Sequence, residues 1–128
     1  MADTILKAEH LTKTFISGKK TLTAVDDVSF ELKQGECLGI VGESGSGKSV
    51  TIKAVTKLLA ANGVIKNGSI TYKGQDILHM SDKEFSVLRG NEISLIFQDP
   101  LSSLDPVMKI GKQITYKSGY SNFTFDLW

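Results

Sequence analysis

The sequence predicts an α/β fold, and three local patterns support that prediction. The stretch VSFEL at 28–32 alternates apolar and polar residues with a period of two, as in a half-buried strand. The stretch CLGIV at 37–41 is apolar throughout, as in the interior of a parallel sheet. Across 48–61, apolar residues recur at helical spacing directly after a glycine-rich loop.

The N-terminal part of the chain is predicted to form antiparallel β structure. Residues 4–9 and 22–32 carry β-branched and apolar residues with partial alternation. Between them, SGKK at 17–20 indicates a turn, and KQGE at 33–36 indicates a second turn before the apolar strand.

The middle of the chain is predicted to form a helix and a further strand. The helix begins at Lys48, continues to Ala61 and ends at the stop signal Asn62-Gly63. GSITYKG at 68–74 then predicts a strand that lies between glycine turns.

The last predicted elements are a short helix, a strand and a loop. Ser81 fits an N-cap with Glu84 three residues later, which opens a helix through Leu88. ISLIF at 93–97 predicts a second apolar strand, and the prolines of QDPLSSLDP at 98–106 keep that segment from being helical.

Composition limits the classes of function. A chain of 128 residues with a formal net charge of +1 is long enough for one domain and gives no electrostatic reason to expect nucleic acid as a partner. No stretch approaches the roughly 18 apolar residues of a membrane span. The N-terminus lacks the long apolar run of a signal peptide, and Cys37 is the only cysteine. We therefore expect a cytoplasmic protein whose role at a membrane, if any, is peripheral.

The segment GESGSGKS, between a predicted strand and a predicted helix, matches a phosphate-binding P-loop. Its glycines let successive N–H groups point at one anion, and the helix adds its positive N-terminal end. The lysine brings a mobile charge to the β- and γ-phosphates, and the last serine offers a hydroxyl to Mg²⁺. The residues predicted to bind a nucleoside triphosphate here are Gly42, Glu43, Ser44, Gly45, Ser46, Gly47, Lys48, Ser49 and Val50, with Ser49 also predicted as a metal ligand.

Two longer stretches identify the kind of P-loop protein. AVDDVSFELKQGECLGIVGESGSGKS at 24–49 and LRGNEISLIFQDPLSSLDPV at 88–107 closely resemble the ATP-binding subunits of ABC transporters. Among these, the oligopeptide, dipeptide and nickel importer group is the most similar. The resemblance runs from about Leu6 to Ile114. It implies a partial P-loop NTPase fold with an N-terminal antiparallel β portion.

The resemblance also implies roles for two residues outside the loop. Phe15 falls where the family places an aromatic ring that stacks on adenine; the alternative is a core residue. Gln98 falls at the glutamine that touches Mg²⁺ or the attacking water; the alternative is a solvated loop amide. Asp99 and Asp105 are interpreted as turn-forming residues beside proline.

The family's later elements do not occur in this sequence. The resemblance implies an LSGGQ signature, an apolar strand ending in Asp-Glu, a D-loop and a switch histidine after Gln98. The chain therefore resembles only an N-terminal part, without the helical subdomain and the second half of the core, and no catalytic residue is assigned. We predict one region over residues 1–114 and a divergent, aromatic-rich tail over 115–128.

The leading functional hypothesis is ATP binding within the ATP-binding subunit of an importer for peptides or a related solute, where hydrolysis is coupled to transport. The resemblance implies Mg²⁺ as cofactor, and a second ATP-binding subunit and membrane-spanning permease subunits as partners at the inner face of the cell membrane. The alternative is a nucleotide-binding or inert fragment without turnover. A P-loop kinase is disfavoured because the sequence lacks a lid-like, arginine-rich segment.

Overall fold

The computed structural model describes residues 3–58, 63–96, 99 and 104–116. The chain divides into two compact units, residues 1–81 and 82–128. Among the residues that the structure describes, the first unit contains a β-sheet and one helix, and the second contains two short helices. The helices that the structure describes are all too short or too polar to cross a lipid bilayer.

The first unit is built on a four-stranded antiparallel sheet. Its strands are β1 (Thr4–Ser17), β2 (Lys20–Lys33), β3 (Gly63–Tyr72) and β4 (Gln75–Asp76), in the spatial order β2-β1-β3-β4. The predicted strands at 4–9 and 22–32, the turn between them and the strand within 68–74 are therefore confirmed.

An irregularity, here called the crease, crosses the three long strands at His10, Asp27 and Gly68. His10 on β1 and Asp27 on β2 have positive φ angles of 50° and 49°, and Gly68 on β3 has a φ of 105°. The His10 Nδ1 atom lies 2.7 Å from Asp27 Oδ1, so a side-chain bond joins the first two strands there. A Cβ atom at Gly68 would lie 2.7 Å from the carbonyl oxygens of Glu9 and His10, so only glycine fits this position.

A second irregularity lies further along β2. Lys13 pairs with Val25 and Thr14 pairs with Thr23, so Ala24 is an extra, unpaired residue on β2. Such a β-bulge bends the strand and redirects its backbone groups.

Helix α1 (Lys48–Val55) contacts β2. Buried side chains from the sheet and the helix form the core of this unit, and each burial of a large aliphatic side chain contributes roughly 1.5–3 kcal/mol. Among the described residues, the buried apolar ones of this unit are Ala8, Leu11, Val25, Ala54, Val55 and Ile70 on the sheet and the helix, and Ile77 just after β4.

Helix α1 is shorter than predicted. The predicted helix ran to Ala61, whereas α1 ends at Val55, and residues 59–62 lie outside the described part of the chain. Lys57 has a φ of 54°; its N–H donates to the Ala54 carbonyl, and the Leu58 N–H donates to the Lys53 carbonyl. These two bonds form a Schellman motif, which stops a helix by turning the chain into the left-handed region. Here lysine takes the position that glycine usually occupies.

The prediction of a buried parallel strand at 37–41 is wrong. These residues form no strand, Val41 is 93% exposed and Cys37 is exposed rather than buried. A strand that is apolar on both faces needs neighbouring strands to pair its backbone groups and layers to cover it. The described residues place no strand beside 37–41, and the four that pair belong to the antiparallel sheet.

The predicted strand at 93–97 is also not formed over 93–96. A single parallel bridge joins Arg89 and Ile93, and Ile96 is 88% exposed. As at 37–41, the described residues place no neighbouring strand there to pair its backbone groups. Phe97 lies outside the described residues.

The second unit contains α2 (Asp82–Leu88) and α3 (Ile110–Tyr116). Helix α2 confirms the prediction made from Ser81 and Glu84, and it buries Phe85. The short helix α3 was not predicted. Ahead of it, Asp105 Oδ1 accepts the Val107 N–H at 2.9 Å, which confirms Asp105 as a turn-forming residue. The predicted tail, 115–128, lies almost entirely outside the described residues, and its boundary stays a prediction.

Candidate functional site

The glycine-rich loop at 42–49 lies within the first unit and leads directly into α1. Gly45 and Gly47 have φ angles of 80° and 96°, in the region that L residues rarely adopt. Gly47 is the N-cap of α1. The two glycines therefore set the path by which the chain turns from the loop into the helix.

Gly47 also brings the start of α1 against the sheet. A Cβ atom at Gly47 would lie 2.5 Å from the carbonyl oxygen of Ala24 and 3.7 Å from Val25 Cγ2. Ala24 is the unpaired residue of the β2 bulge. The bulge and the glycine thus form one contact, which fixes the helix N-terminus to β2 and leaves no room for a side chain.

The N-terminus of α1 has hydrogen-bond donors available for an anion. The first helical bond runs from the Thr51 N–H to the Gly47 carbonyl at 2.9 Å, so the N–H groups of Lys48, Ser49 and Val50 have no acceptor within the helix. Within the described chain no side chain caps this end by a hydrogen bond, and its first turn carries no acidic residue. The positive end of the helix dipole therefore faces outward with its donors uncommitted.

The side chain of Lys48 folds back over the loop. Its ammonium donates to the carbonyl oxygens of Gly42 (2.5 Å) and Glu43 (2.7 Å), and more weakly to Ser46 Oγ at 3.4 Å. An ammonium has three donors, so the long bond to Ser46 is the one that an incoming anion could replace at least cost. Lys48 is thus held in place by two loop carbonyls with one donor weakly engaged.

The loop closes on itself around this ammonium. The Ser46 N–H donates to the Glu43 carbonyl at 3.2 Å, and a Cβ atom at Gly42 would lie 2.7 Å from Ser46 Oγ. Ser44 and Ser49 are exposed, and Val50 is half-buried. The structure therefore gathers all nine predicted loop residues, 42–50, into one short turn and the first residues of a helix.

Phe15 lies on the central strand β1, where it pairs with Leu22 on β2 and with Gly63 on β3. Its ring is half-buried. The ammonium of Lys13, two residues earlier, lies 4.6 Å from the centre of that ring. Sequence reasoning missed Lys13, although a period of two on β1 would have placed it on the same face as Phe15.

Lys13 is unusual because a charged side chain is buried. It is 1% exposed, among the most deeply buried large residues of the described chain. Burial, and then the positive charge of Lys53 on α1, lower the pKa of its ammonium.

The second predicted metal ligand, Gln98, lies outside the described residues. Among the residues that are described, no group of three or more His, Cys, Asp or Glu side chains could hold a metal ion. Of the two predicted metal ligands, Ser49 is the one whose position the structure describes, at the exposed start of α1.

Comparison with protein families gives one match over most of the chain. The family model for ABC transporters matches residues 25–125. The chain is 50% identical over 113 residues to the oligopeptide transport ATP-binding protein OppD of Escherichia coli, covering 88% of this chain and 33% of that protein. It is 48% identical over 110 residues to the dipeptide transport ATP-binding protein DppD of Lactococcus lactis, covering 86% and 32%. The chain thus spans about one third of the length of these relatives.

Solved structures agree with the sequence comparison. The ATP-binding cassette MJ0796, determined as a dimer in a post-hydrolysis state bound to ADP and Pi, superposes with a TM-score of 0.76 at 25% identity. The match covers 88% of this chain and 46% of the cassette. A nucleotide-free ATP-binding cassette from an ABC transporter matches with a TM-score of 0.56 at 22% identity and supports the fold alone. The predicted partial cassette fold is therefore confirmed.

Proposed function

Because the chain belongs to the ABC transporter family, we propose that its glycine loop binds Mg·ATP as part of the ATP-binding subunit of a peptide importer. The observation that carries the proposal is the geometry of residues 42–49. An uncapped helix N-terminus and the Lys48 ammonium lie within one short loop, and both favour an anion.

The phosphates would take their hydrogen bonds from this loop. The uncommitted N–H groups of Lys48, Ser49 and Val50 would donate to phosphate oxygens. The Lys48 ammonium would keep its bonds to the Gly42 and Glu43 carbonyls and exchange its weak bond to Ser46 Oγ for a β- or γ-phosphate oxygen. Such an exchange replaces a long bond to a neutral acceptor with a bond to an ionised acceptor, which is stronger.

Mg²⁺ fits the chemistry of the loop, since it prefers oxygen ligands and shares them with phosphates. The exposed Ser49 hydroxyl is the proposed protein ligand, and Gln98 is proposed as a second one from the family resemblance. When bound, the ion neutralises phosphate charge.

Phe15 is the proposed contact for adenine. Its half-buried ring lies on the same unit as the loop, and a half-buried aromatic keeps part of its surface for a ligand. If the ring were purely structural, Phe15→Ala would weaken Mg·ATP and inorganic triphosphate equally.

The wider role follows from the relatives. Proteins named as oligopeptide and dipeptide transport ATP-binding proteins are about half identical to this chain where they match. We propose that the chain works with a second ATP-binding subunit and with membrane-spanning permease subunits, at the inner face of the cell membrane. The competing function, nucleotide binding without turnover, is favoured for the isolated chain because its 128 residues include no LSGGQ signature.

Calorimetric titration with Mg·ATP tests the proposal. Lys48→Ala removes a charge-assisted contact of about 1.5–3 kcal/mol, and the affinity should therefore fall by about 10- to 100-fold. Lys53→Ala removes a lysine from the same helix at an exposed position outside the loop and should leave the affinity nearly unchanged. Equal affinities for the wild type and Lys48→Ala would overturn the assignment.

A further inference from the structure

Lys13 is a buried cation that lies outside the proposed phosphate-binding loop. Its side chain is 1% exposed, and taking an ammonium out of water costs free energy unless a partner compensates. Burial already lowers its pKa, which reflects that cost. A side chain kept charged in such a place needs a compensating contact.

The contact that the described structure offers is an aromatic ring. The Lys13 ammonium lies 4.6 Å from the centre of the Phe15 ring, within the range of a cation–π interaction. The ion pairs found among the described residues join other side chains, so at Lys13 the ring takes the place that a carboxylate would usually fill.

The backbone places the cation and the ring side by side. Lys13 and Phe15 are two residues apart on β1, which puts both side chains on one face of the sheet. The cross-strand neighbour of Phe15 on β3 is Gly63, which has no side chain to restrain the ring on that side. On β2 the neighbour is Leu22, which is 68% exposed. Of these three neighbours, the ammonium is the one that lies over the face of the ring.

We propose that Lys13 is a positioning residue, which holds the Phe15 ring in one orientation for stacking on the purine base of a nucleoside triphosphate. This inference rests on the proposed function, in which Phe15 contacts adenine. The ammonium occupies one face of the ring, and a base stacks on the surface that remains. Fixing the ring before the ligand arrives removes the cost of ordering it during binding.

The test compares two ligands across two substitutions. Lys13→Met keeps an unbranched apolar stem in the buried position and removes the charge, whereas Lys13→Arg keeps a cation that can lie over the ring. Calorimetry with Mg·ATP and with inorganic triphosphate measures each variant. Lys13→Met should weaken ATP by about 3- to 10-fold, the range of a partly buried cation–π contact, and leave inorganic triphosphate nearly unchanged.

Two controls separate positioning from packing. Lys13→Arg should restore most of the affinity for ATP. In a Phe15→Ala background, Lys13→Met should have no further effect, because the ring through which it acts is gone. Equal weakening of both ligands by Lys13→Met, or an unchanged affinity for ATP, would overturn the inference.

A measurement without nucleotide tests the positioning of the ring separately from the proposed function. In the ligand-free protein with labelled phenylalanine rings, Lys13→Met should shift the NMR signals of the Phe15 ring and speed its flipping, and Lys13→Arg should do so much less. If the wild type binds neither ligand, the proposed function fails, and the ring signals still decide the role of Lys13. Ring signals that do not respond to Lys13→Met would refute the positioning role.

Discussion

Gly47 is the residue at which the sheet, the glycine loop and α1 meet, and its replacement by alanine is the sharpest test of how the loop is held. The φ of Gly47 is 96°, and a Cβ atom there would lie 2.5 Å from the Ala24 carbonyl oxygen. An alanine must therefore adopt an unfavourable backbone conformation and also displace either β2 or the start of α1.

The expected loss in the free energy of unfolding is the sum of these two effects. A non-glycine residue in the left-handed region costs about 1–2 kcal/mol. A side chain forced into a closely packed contact adds roughly 1–3 kcal/mol. Gly47→Ala should therefore lower the free energy of unfolding by about 2–5 kcal/mol, a large share of the 5–15 kcal/mol typical of a domain.

Two other glycines isolate the contact from the strain. Gly45 and Gly35 have φ angles of 80° and 77°, close to that of Gly47, but a Cβ atom at either one meets nothing within 4 Å. Gly45→Ala and Gly35→Ala should therefore show the strain alone, about 1–2 kcal/mol. Gly45 lies in the loop and Gly35 lies in the turn after β2. Comparing their variants therefore shows whether strain inside the loop has a different effect from strain outside it.

Urea unfolding followed by circular dichroism measures all three variants, and calorimetry with Mg·ATP measures binding in those that stay folded. The extra loss in Gly47→Ala should accompany weakened binding, because the displaced helix end no longer presents its N–H groups together. Equal destabilisation in the three variants would refute the reasoning, since the contact with Ala24 would then have no energetic effect.

Three further outcomes are expected. Phe15→Ala should weaken Mg·ATP by about 1–3 kcal/mol in calorimetry and inorganic triphosphate very little, as for base stacking on aromatic rings elsewhere; equal losses would support a packing role for the ring. Ile70→Ala removes a fully buried side chain and should cost about 2–5 kcal/mol in urea unfolding, whereas Val64→Ala, on the same strand but 43% exposed, should cost less; similar values would place Ile70 outside the core. The purified 128-residue chain should release no measurable phosphate from ATP, because its sequence includes neither an LSGGQ signature nor an apolar strand ending in Asp-Glu. Loss of one transition-state contact commonly costs about 10²–10³ in rate, and turnover that disappears in Lys48→Ala would contradict this expectation.

The sequence predicted those parts of the molecule that local patterns determine. The β1–β2 hairpin follows from alternation and a glycine turn, and the phosphate loop follows from its glycines, lysine and flanking elements. In both cases the signal lies within a few residues of the structure that it specifies.

The structural features that were predicted incorrectly or missed have physical causes that a local sequence pattern does not encode. The apolar run at 37–41 has the composition of a buried strand, but strand formation depends on partners elsewhere in the chain. The end of α1 depends on Lys57 in a left-handed conformation, for which lysine gives no sequence signal. The contact of Gly47 with Ala24 depends on a bulge, whose position follows from the pairing of β1 with β2.

The crease across the sheet has a consequence for how this region can change by insertion or deletion. Between Ala8 and Lys13 the strand β1 advances by as many residues as β2 does between Phe30 and Val25, although the pairing is interrupted on the way. The same balance holds between β1 and β3, where Glu9 pairs with Ser69 and Lys13 pairs with Ile65.

Each strand thus carries its extra residue in step with its neighbours, and the pairing resumes in the same register. Losing one residue from β1 alone would leave the extra residues of β2 and β3 without a counterpart, so Phe15 would no longer lie opposite Leu22 and Gly63. Coordinated loss of one residue from all three strands would remove the crease and leave Phe15 on its present face. In an alignment of this region, gaps should therefore occur in matched sets across three separate segments of the chain.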